Sequence, residues 1–263
     1  TNRRMNEESF CETVARRAGR IMVRYFYEEK HVDWKEDNTP VTVADRRINQ
    51  HVISMVDEHY PDHVVLGEEQ SSVDQSKGNV WVCDPIDGTT PFSHGIPTAT
   101  FSLARVVDGQ VRTSIIFDPW EDRLYFARKD EGTVVNGEPV SVNDQVSVEN
   151  VVVGFEASAT SPYGVTGVDH QLAQEGSNVL RLMSSNYTAM LIASGEVSGV
   201  IYAGDKPFDG AAVKLIVEEA GGTVTDIHGS EQRYDKPLTG YIASNGGLHD
   251  ELLNRVSEAL HGQ

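Results

Sequence analysis

Apolar residues at Phe10, Val14, Ala18, Ile21 and Tyr25 recur every three or four positions, so a helix over this stretch carries one apolar stripe. A second stripe, Ile48, Val52, Val56 and Tyr60, predicts a helix from about Ala44 that ends before Pro61. Between them KEDNTPVTVAD at 35–45 is polar, contains Pro40, and reads as a loop feeding the second helix. His63–Leu66 and Val80–Cys83 are short apolar runs closed by acidic residues, the pattern of buried strands ending at a functional edge. From Ala99 to Val142 the period changes to two (Phe101, Leu103; Leu124, Phe126). Asp108-Gly109 and Asn136-Gly137 supply hairpin turns, so this part is an antiparallel meander. Beyond it come a strand at Val151–Phe155, a helix at Tyr187–Ser194 stopped by Gly195, and a strand at Val197–Tyr202. A helix at Asp209–Ala220 stopped by Gly221-Gly222 and an amphipathic helix from about Leu248 to Leu260 follow. The order is mixed α/β in two halves, 1–150 and 151–263, expected to pack as one unit, with no internal repeat.

Composition narrows the function classes. Of 263 residues 39% are hydrophobic, enough for a packed core, and 22 Lys+Arg stand against 40 Asp+Glu for a net charge of −18. Such a surface repels phosphate backbones, so general nucleic-acid binding is not expected. No apolar run approaches the roughly 20 residues of a membrane span. The acidity itself is compatible with solubility, a salty habitat, or carboxylates gathered for metal ions. Cys11 and Cys83 lack CxxC spacing and suggest neither a disulfide framework nor a thiolate zinc site. The first ten residues hold no signal-peptide core and Met5 could be a native start, so the cytoplasm is the expected location.

The richest chemistry lies in WVCDPIDGTT at 81–90. Asp84 and Asp87 flank a proline with fixed φ, an arrangement that can turn both carboxylates toward one point with the Ile86 carbonyl between them. Gly88 lets backbone approach a ligand, and Thr89 and Thr90 open a helix whose free N–H groups face an anion. Carboxylates beside an anion site would repel the ligand, a conflict that a divalent cation resolves. A strand-ending Asx turn is the alternative. Gly67-Glu68-Glu69 ends the preceding strand, where a solvated loop is the alternative. Asp209 and Asp45 each begin a helix, where an N-cap is the alternative. Their joint occurrence at strand ends and helix starts, where α/β proteins build sites, favours a metal centre.

GEE at 67–69, DPIDGTT at 84–90 and KPFDGAA at 206–212 resemble the three signatures of the inositol monophosphatase family of Mg²⁺-dependent, lithium-sensitive phosphatases. The resemblance implies an αβαβα sugar-phosphatase sandwich and a homodimer. It also implies two or three Mg²⁺ per subunit, the first on Glu68, Asp84 and the Ile86 carbonyl, the second on Asp84, Asp87 and Asp209, a third sharing Glu68. By the same resemblance Glu68 and Thr89 orient and deprotonate the attacking water, Asp45 stands behind Thr89, Glu69 supports the site, and Asp87, Gly88, Thr89 and Thr90 hold the phosphate of a small phosphate monoester. The substrate side is mixed. Phe92, His94, Gly95 and Pro97 resemble the inositol branch, whereas Lys35-x-Asp37-x-Thr39-Pro40 and Lys206-Pro207-Phe208-Asp209 resemble the histidinol-phosphatase branch. A glutamate that commonly lies seven residues before Asp209 is here Tyr202, expected to face the substrate alcohol. Arg181 is followed by Ser184, Ser185 and Asn186. Lys35, Arg181, Ser185 and Tyr202 are therefore the candidate alcohol contacts, with plain surface charge the alternative for Lys35 and Arg181 and a loop role the alternative for His94. Inositol phosphate is the leading substrate. Histidinol phosphate and other sugar or nucleotide phosphates are alternatives, and a non-catalytic phosphate-binding relative is the other functional class.

Overall fold

The first helix, α1 (Glu7–Tyr27), starts where the Asn6 side chain accepts the Ser9 N–H at 2.7 Å. The computed structural model describes residues 5–28, 32–34, 40–72, 78–157 and 161–261. The α1 stripe runs through Phe10, Val14 and Ala18 as expected but continues through Met22 and Phe26 rather than Ile21 and Tyr25. Steps of four from Ala18 stay on the buried face, whereas Ile21 and Tyr25 fall on its flank. Residues 40–42, expected as loop, form a short strand: β1 (Val32–Trp34) pairs antiparallel with β2 (Pro40–Thr42). Thr42 then caps α2 (Val43–His59) in a capping box with Asp45.

Seven strands make the first sheet: β3 (Val64–Gly67), β4 (Asn79–Asp87), β5 (Thr100–Val107), β6 (Gln110–Asp118), β7 (Arg123–Arg128), β8 (Gly132–Val135) and β9 (Glu138–Pro139), in that spatial order. Only β3 and β4 are parallel; the rest is the predicted meander. The short helix α3 (Thr89–Ser93) follows β4. In the second half come β10 (Val152–Glu156), α4 (Val168–Gln174), β11 (Asn178–Leu180), α5 (Ser185–Ala193) and β12 (Gly199–Tyr202). A 3-10 turn Pro207–Asp209 precedes α6 (Ala211–Glu219), β13 (Thr223–Thr225), β14 (Tyr241–Ser244) and α7 (His249–His261). The second sheet has the order β11-β10-β12-β14-β13. Asp209 was expected to begin α6, but it ends the 3-10 turn and Gly210 caps the helix.

Alternation along the strands sorts side chains into three cores, and these cores are the layers of the fold. Trp81, Cys83, Phe101 and Leu103 pack under α1 and α2. On the opposite face Val82, Ala104, Ile116 and Tyr125 meet Met190, Val213 and Leu215 of α5 and α6, which in turn touch Val200 and Ala243 of the second sheet. The far face of that sheet, with Val153, Ile201 and Ile242, is covered by Leu172 of α4 and Leu252 and Val256 of α7. Helices, sheet, helices, sheet, helices is the αβαβα sandwich expected from the sequence.

One close approach in this stack sets the position of the site. A Cβ at Gly154 of β10 would lie 2.7 Å from Thr188 Cγ2 of α5 and 2.9 Å from Val200 Cγ2 of β12, so α5 rests flush on β10 only because that side chain is missing. Gly154→Ala is expected to destabilise the protein by about 1–3 kcal/mol through overpacking. Urea unfolding measures it, and a cost near zero would mean that α5 is free to move away from β10.

Candidate active site

Strands β3 and β4 end side by side, and β4 carries its carboxylates through a bulge. Asp84 pairs with Ser102 and Asp87 with Thr100, so three steps on β4 match two on β5. The extra residue turns both side chains to one side. Asp84 Oδ1 accepts the Ile86 N–H at 3.0 Å. Asp87 accepts the Ser184 hydroxyl at 2.6 Å, the Asn186 N–H at 2.7 Å and the Ser185 N–H at 3.3 Å, all from the start of α5. Gly88 has φ +89, where a side chain would be strained and would meet the Met183 carbonyl and Ser184 Cβ. The chain can thus turn into α3, with Thr89 and Thr90 in its first turn.

Two groups of carboxylates result. Oxygens of Asp84, Asp87 and Asp209 lie within 4.8 Å of one another, as do those of Asp45, Glu68 and Glu69. Burial, followed by the charges of Glu68, Asp87, Asp209 and Asp45, holds Asp84 well above the usual carboxylate range, which makes the two groups one electrostatic unit. Asp209 is pushed up to about 8 by burial and then by Asp87. Asp45 is pushed up to about 7 by burial, against the lowering effect of its Thr42 hydrogen bond. Asp45 Oδ1 is buried with no hydrogen-bond partner. The donor set is entirely hard oxygen, and both the crowding of anions and the orphaned oxygen fit Mg²⁺. Thr89 Oγ1 donates to the Ile86 carbonyl at 3.0 Å, while Asp45 is bound by the backbone N–H and hydroxyl of Thr42. The link between Asp45 and Thr89 implied by the resemblance is therefore not made here.

On the substrate side several expectations change. Tyr202 donates through its hydroxyl to the Asp209 carboxylate. Its ring stacks on Tyr241 at 4.7 Å, and the Tyr241 hydroxyl and Ser185 Oγ donate to the Asp209 carbonyl at 3.1 and 3.0 Å. Position 202 is thus an anchor for Asp209, because the extra reach of a phenol brings its oxygen to that carboxylate. Arg181 is occupied elsewhere, donating to the Ala157 carbonyl at 3.0 Å, pairing with Asp169 and lying 4.8 Å from the Phe155 ring centroid. His94 is exposed, with Nδ1 2.9 Å from the Thr90 carbonyl of its own turn, which matches the loop alternative. Lys35 lies outside the described residues.

A residue that sequence reasoning missed is Glu156. It ends β10 directly opposite Tyr202 on β12 and lines a cleft of about 380 Å³ together with Asp87, Ser185, Tyr202 and Asp209. Its Oε1 accepts the Leu182 N–H at 3.1 Å, and burial, assisted by the charge of Asp87, pushes its pKa up to about 7. VVVGFE at 151–156 carried the signal, an apolar strand closed by an acid, the same pattern that flagged Glu68 and Asp84.

The Inositol monophosphatase family model matches residues 6–261. The chain belongs to the inositol monophosphatase family. It is 29% identical to the "Fructose-1,6-bisphosphatase/inositol-1-monophosphatase" of Thermotoga maritima across 97% of this chain and 98% of that one. It is 32% identical to the "Histidinol-phosphatase" of Chlorobaculum parvum across 92% and 93%. Among solved structures, the "extragenic suppressor protein suhB" of Bartonella henselae superposes with a TM-score of 0.88 at 26% identity, covering 95% of this chain and 98% of that one. Family membership makes the chain one of a group of phosphatases that act on small phosphate monoesters, and the acidic clusters could bind the metal on which such enzymes depend.

The raised carboxylates give a thermodynamic signature. Without metal, folded Asp209 and Asp45 bind more protons than the unfolded chain between their ordinary value of 3.8 and about 8 and 7 respectively. Their contribution to stability is thus lost as pH rises through that window. His51 and His249, lowered by burial, act in the opposite direction but equally with or without metal. The gain in Tm on replacing excess chelator by Mg²⁺ should therefore grow steadily from about pH 5 to about pH 8. A gain that is constant or shrinks over that range, followed by scanning calorimetry, would contradict the clustering.

Proposed function

We propose that the protein is a Mg²⁺-dependent phosphomonoesterase that hydrolyses a small phosphorylated alcohol of the inositol-phosphate type. The observation that carries the reading is the convergence of Asp84, Asp87 and Asp209 within 4.8 Å, with burial and mutual repulsion holding Asp84 and Asp209 above the usual carboxylate range. Glu68, Asp84 and the Ile86 carbonyl would hold one ion and Asp84, Asp87 and Asp209 a second, with room in the scheme for a third at Glu68. Bound there, Mg²⁺ neutralises phosphoryl charge, lowers the pKa of water and stabilises the leaving alkoxide.

The protein's own groups do the rest. Gly88 leaves the backbone open for the phosphate, and the free N–H groups of Thr89 and Thr90 hold its oxygens. Glu68 and the Thr89 hydroxyl orient the attacking water, and Glu68 takes its proton. Thr89 can play this part because the Ile86 carbonyl fixes its rotamer. Ser184, Ser185 and Asn186 keep Asp87 in place, and Tyr202 does the same for Asp209. Glu156 sits at the alcohol end of the cleft and accepts hydrogen bonds from substrate hydroxyls.

One observation favours a second reading. Among the described residues the charge-bearing side chains lining the cleft are Asp87, Glu156 and Asp209, an all-acidic wall that also suits an ammonium-bearing alcohol such as histidinol. A panel of inositol 1-phosphate, histidinol phosphate, fructose 1,6-bisphosphate, adenosine 3′,5′-bisphosphate and glycerol 2-phosphate, assayed with Mg²⁺ and with excess chelator, separates the two. Turnover that persists in chelator would sink both.

Asp209→Asn should cut turnover at ordinary Mg²⁺ by roughly 10²-fold or more, given how strongly metal sites depend on ligand charge. In chelator the same variant should melt no lower than the parent, since it removes a repelled anion of nearly equal volume. A normal rate, or a large loss of stability without metal, is the contrary result. Glu156→Gln retains an acceptor for the Leu182 N–H and loses only charge. It should change kcat/KM of cationic relative to neutral substrates by about 1–3 kcal/mol; an unaltered ranking would leave Glu156 as support for the 182–184 loop.

A further inference from the structure

The outer helical layer holds a second cleft that shares no residue with the site above. It lies between α1 and α2, has a volume of about 500 Å³, and is lined by Arg17, Arg20, Arg24, Arg47 and His51, with Gln50, Ser54 and the Tyr25 ring completing it. Four guanidinium groups thus share one concavity in a chain whose net charge is −18. Arg24 has an acidic partner, Glu28 at 2.9 Å. Among the described residues no carboxylate pairs with Arg17, Arg20 or Arg47. This contrasts with Arg16, one position away, which is paired with both Glu12 and Asp122. The Tyr25 ring lies 5.7 Å from the Arg24 guanidinium and 5.4 Å from that of Arg47, so it ties one cation from each helix to the same wall. His51 lines the same cleft, and its Nε2 is buried without a hydrogen-bond partner.

Like charges gathered in a cleft repel one another, and low-dielectric walls concentrate their field rather than disperse it. Among the described residues, Arg17, Arg20 and Arg47 gain no relief from a paired carboxylate, although the chain is rich in acids. Guanidinium forks match phosphoryl and carboxylate oxygens alike two at a time, but a phosphoryl group, with three acceptor oxygens and close to two charges, can engage more than one fork at once. The volume is that of a small-molecule site. We propose that the cleft between α1 and α2 binds a small anion carrying two or more phosphoryl groups, apart from the carboxylate centre.

The test is calorimetric titration of the full chain with tripolyphosphate at low salt in excess chelator, conditions under which the carboxylate centre repels anions. One saturable site per chain is expected, weakening as salt is raised. The double variant Arg20→Gln/Arg47→Gln should weaken binding by about tenfold or more, the scale of losing charge-assisted contacts. Arg128→Gln, which removes a cation already paired with Glu131, should leave it unchanged. In the double variant the melting temperature should be no lower than the parent's, and Mg²⁺-dependent hydrolysis of a simple phosphomonoester should match it. Should that variant fail to fold, Arg17→Gln alone gives the reading. ADP binding as tightly as tripolyphosphate would assign the cleft to nucleoside phosphates, and tripolyphosphate binding alone to phosphoryl groups without a base; both support the proposal. No saturable binding, binding indifferent to the arginine variants, or binding confined to long polyanions such as heparin would overturn it.

Discussion

The carboxylate of Asp87 is the point on which the rest of the site depends. It stands at the end of a strand of the first sheet, yet three of its donors, Ser184, Ser185 and Asn186, come from the first turn of a helix in the second half of the chain. An anion at a helix N-terminus receives both unspent N–H groups and the favourable end of the helix dipole. These bonds lower the pKa of Asp87 against the stronger effect of burial. The same contact that keeps charge on Asp87 therefore fixes α5 against the bulge of β4, and α5 in turn places Ser185 on the Asp209 carbonyl. Geometry that a metal would require is set by hydrogen bonds that exist without it.

Holding the remaining carboxylates so close is a cost that the fold tolerates. Asp84 is buried among four other acidic groups, and among the described residues no arginine or lysine lines the cleft beside Asp87 and Asp209. A buried cation from the chain would relieve the repulsion, but it would also fill the coordination space and repel a second positive ion. Local instability at a site in exchange for chemistry is a common trade in enzymes. The compensation lies in the layers above and below, where Trp81, Phe101 and Leu103 on one face and Val82, Ala104 and Ile116 on the other are fully or almost fully buried.

How much of this the sequence disclosed depended on the length of the signal. The two outer helices and the meander were legible because their periodicity runs over many residues. The strands β11, β13 and β14 span three or four residues each, too few for a period to register, and β14 enters the sheet between β12 and β13 from far along the chain. Metal candidates were legible as clustered acids in short motifs, and Asp84, Asp87 and Asp209 do come together. Arg181 and Tyr202 were misplaced for a different reason. Their partners, Asp169, Ala157 and Asp209, are set by tertiary packing, and a long polar side chain can reach in several directions from one backbone position. The arginine cleft is similar, since its α1 members, Arg17, Arg20 and Arg24, stand more than 20 residues in sequence from Arg47 and His51 and become their neighbours only when α1 packs on α2.

Glu156 and Tyr202 show how sheet register can move a function between neighbouring strands. The family resemblance places a carboxylate at position 202, and the chain has a phenol there. Because Glu156 lies directly across the ladder, its Cα is within roughly 5 Å of that of Tyr202, the spacing of adjacent strands. A negative group therefore still borders the cleft, displaced by one strand and approaching from the side of the 182–184 loop. Meanwhile the phenol takes on a task that a carboxylate could not perform, because a second anion beside Asp209 would raise the repulsion that a hydroxyl donor lowers. Under the proposed function the pair would thus separate two demands that a glutamate at 202 would combine, steadying a metal ligand and reading the alcohol, and Glu156 could vary without disturbing the bond between Tyr202 and Asp209.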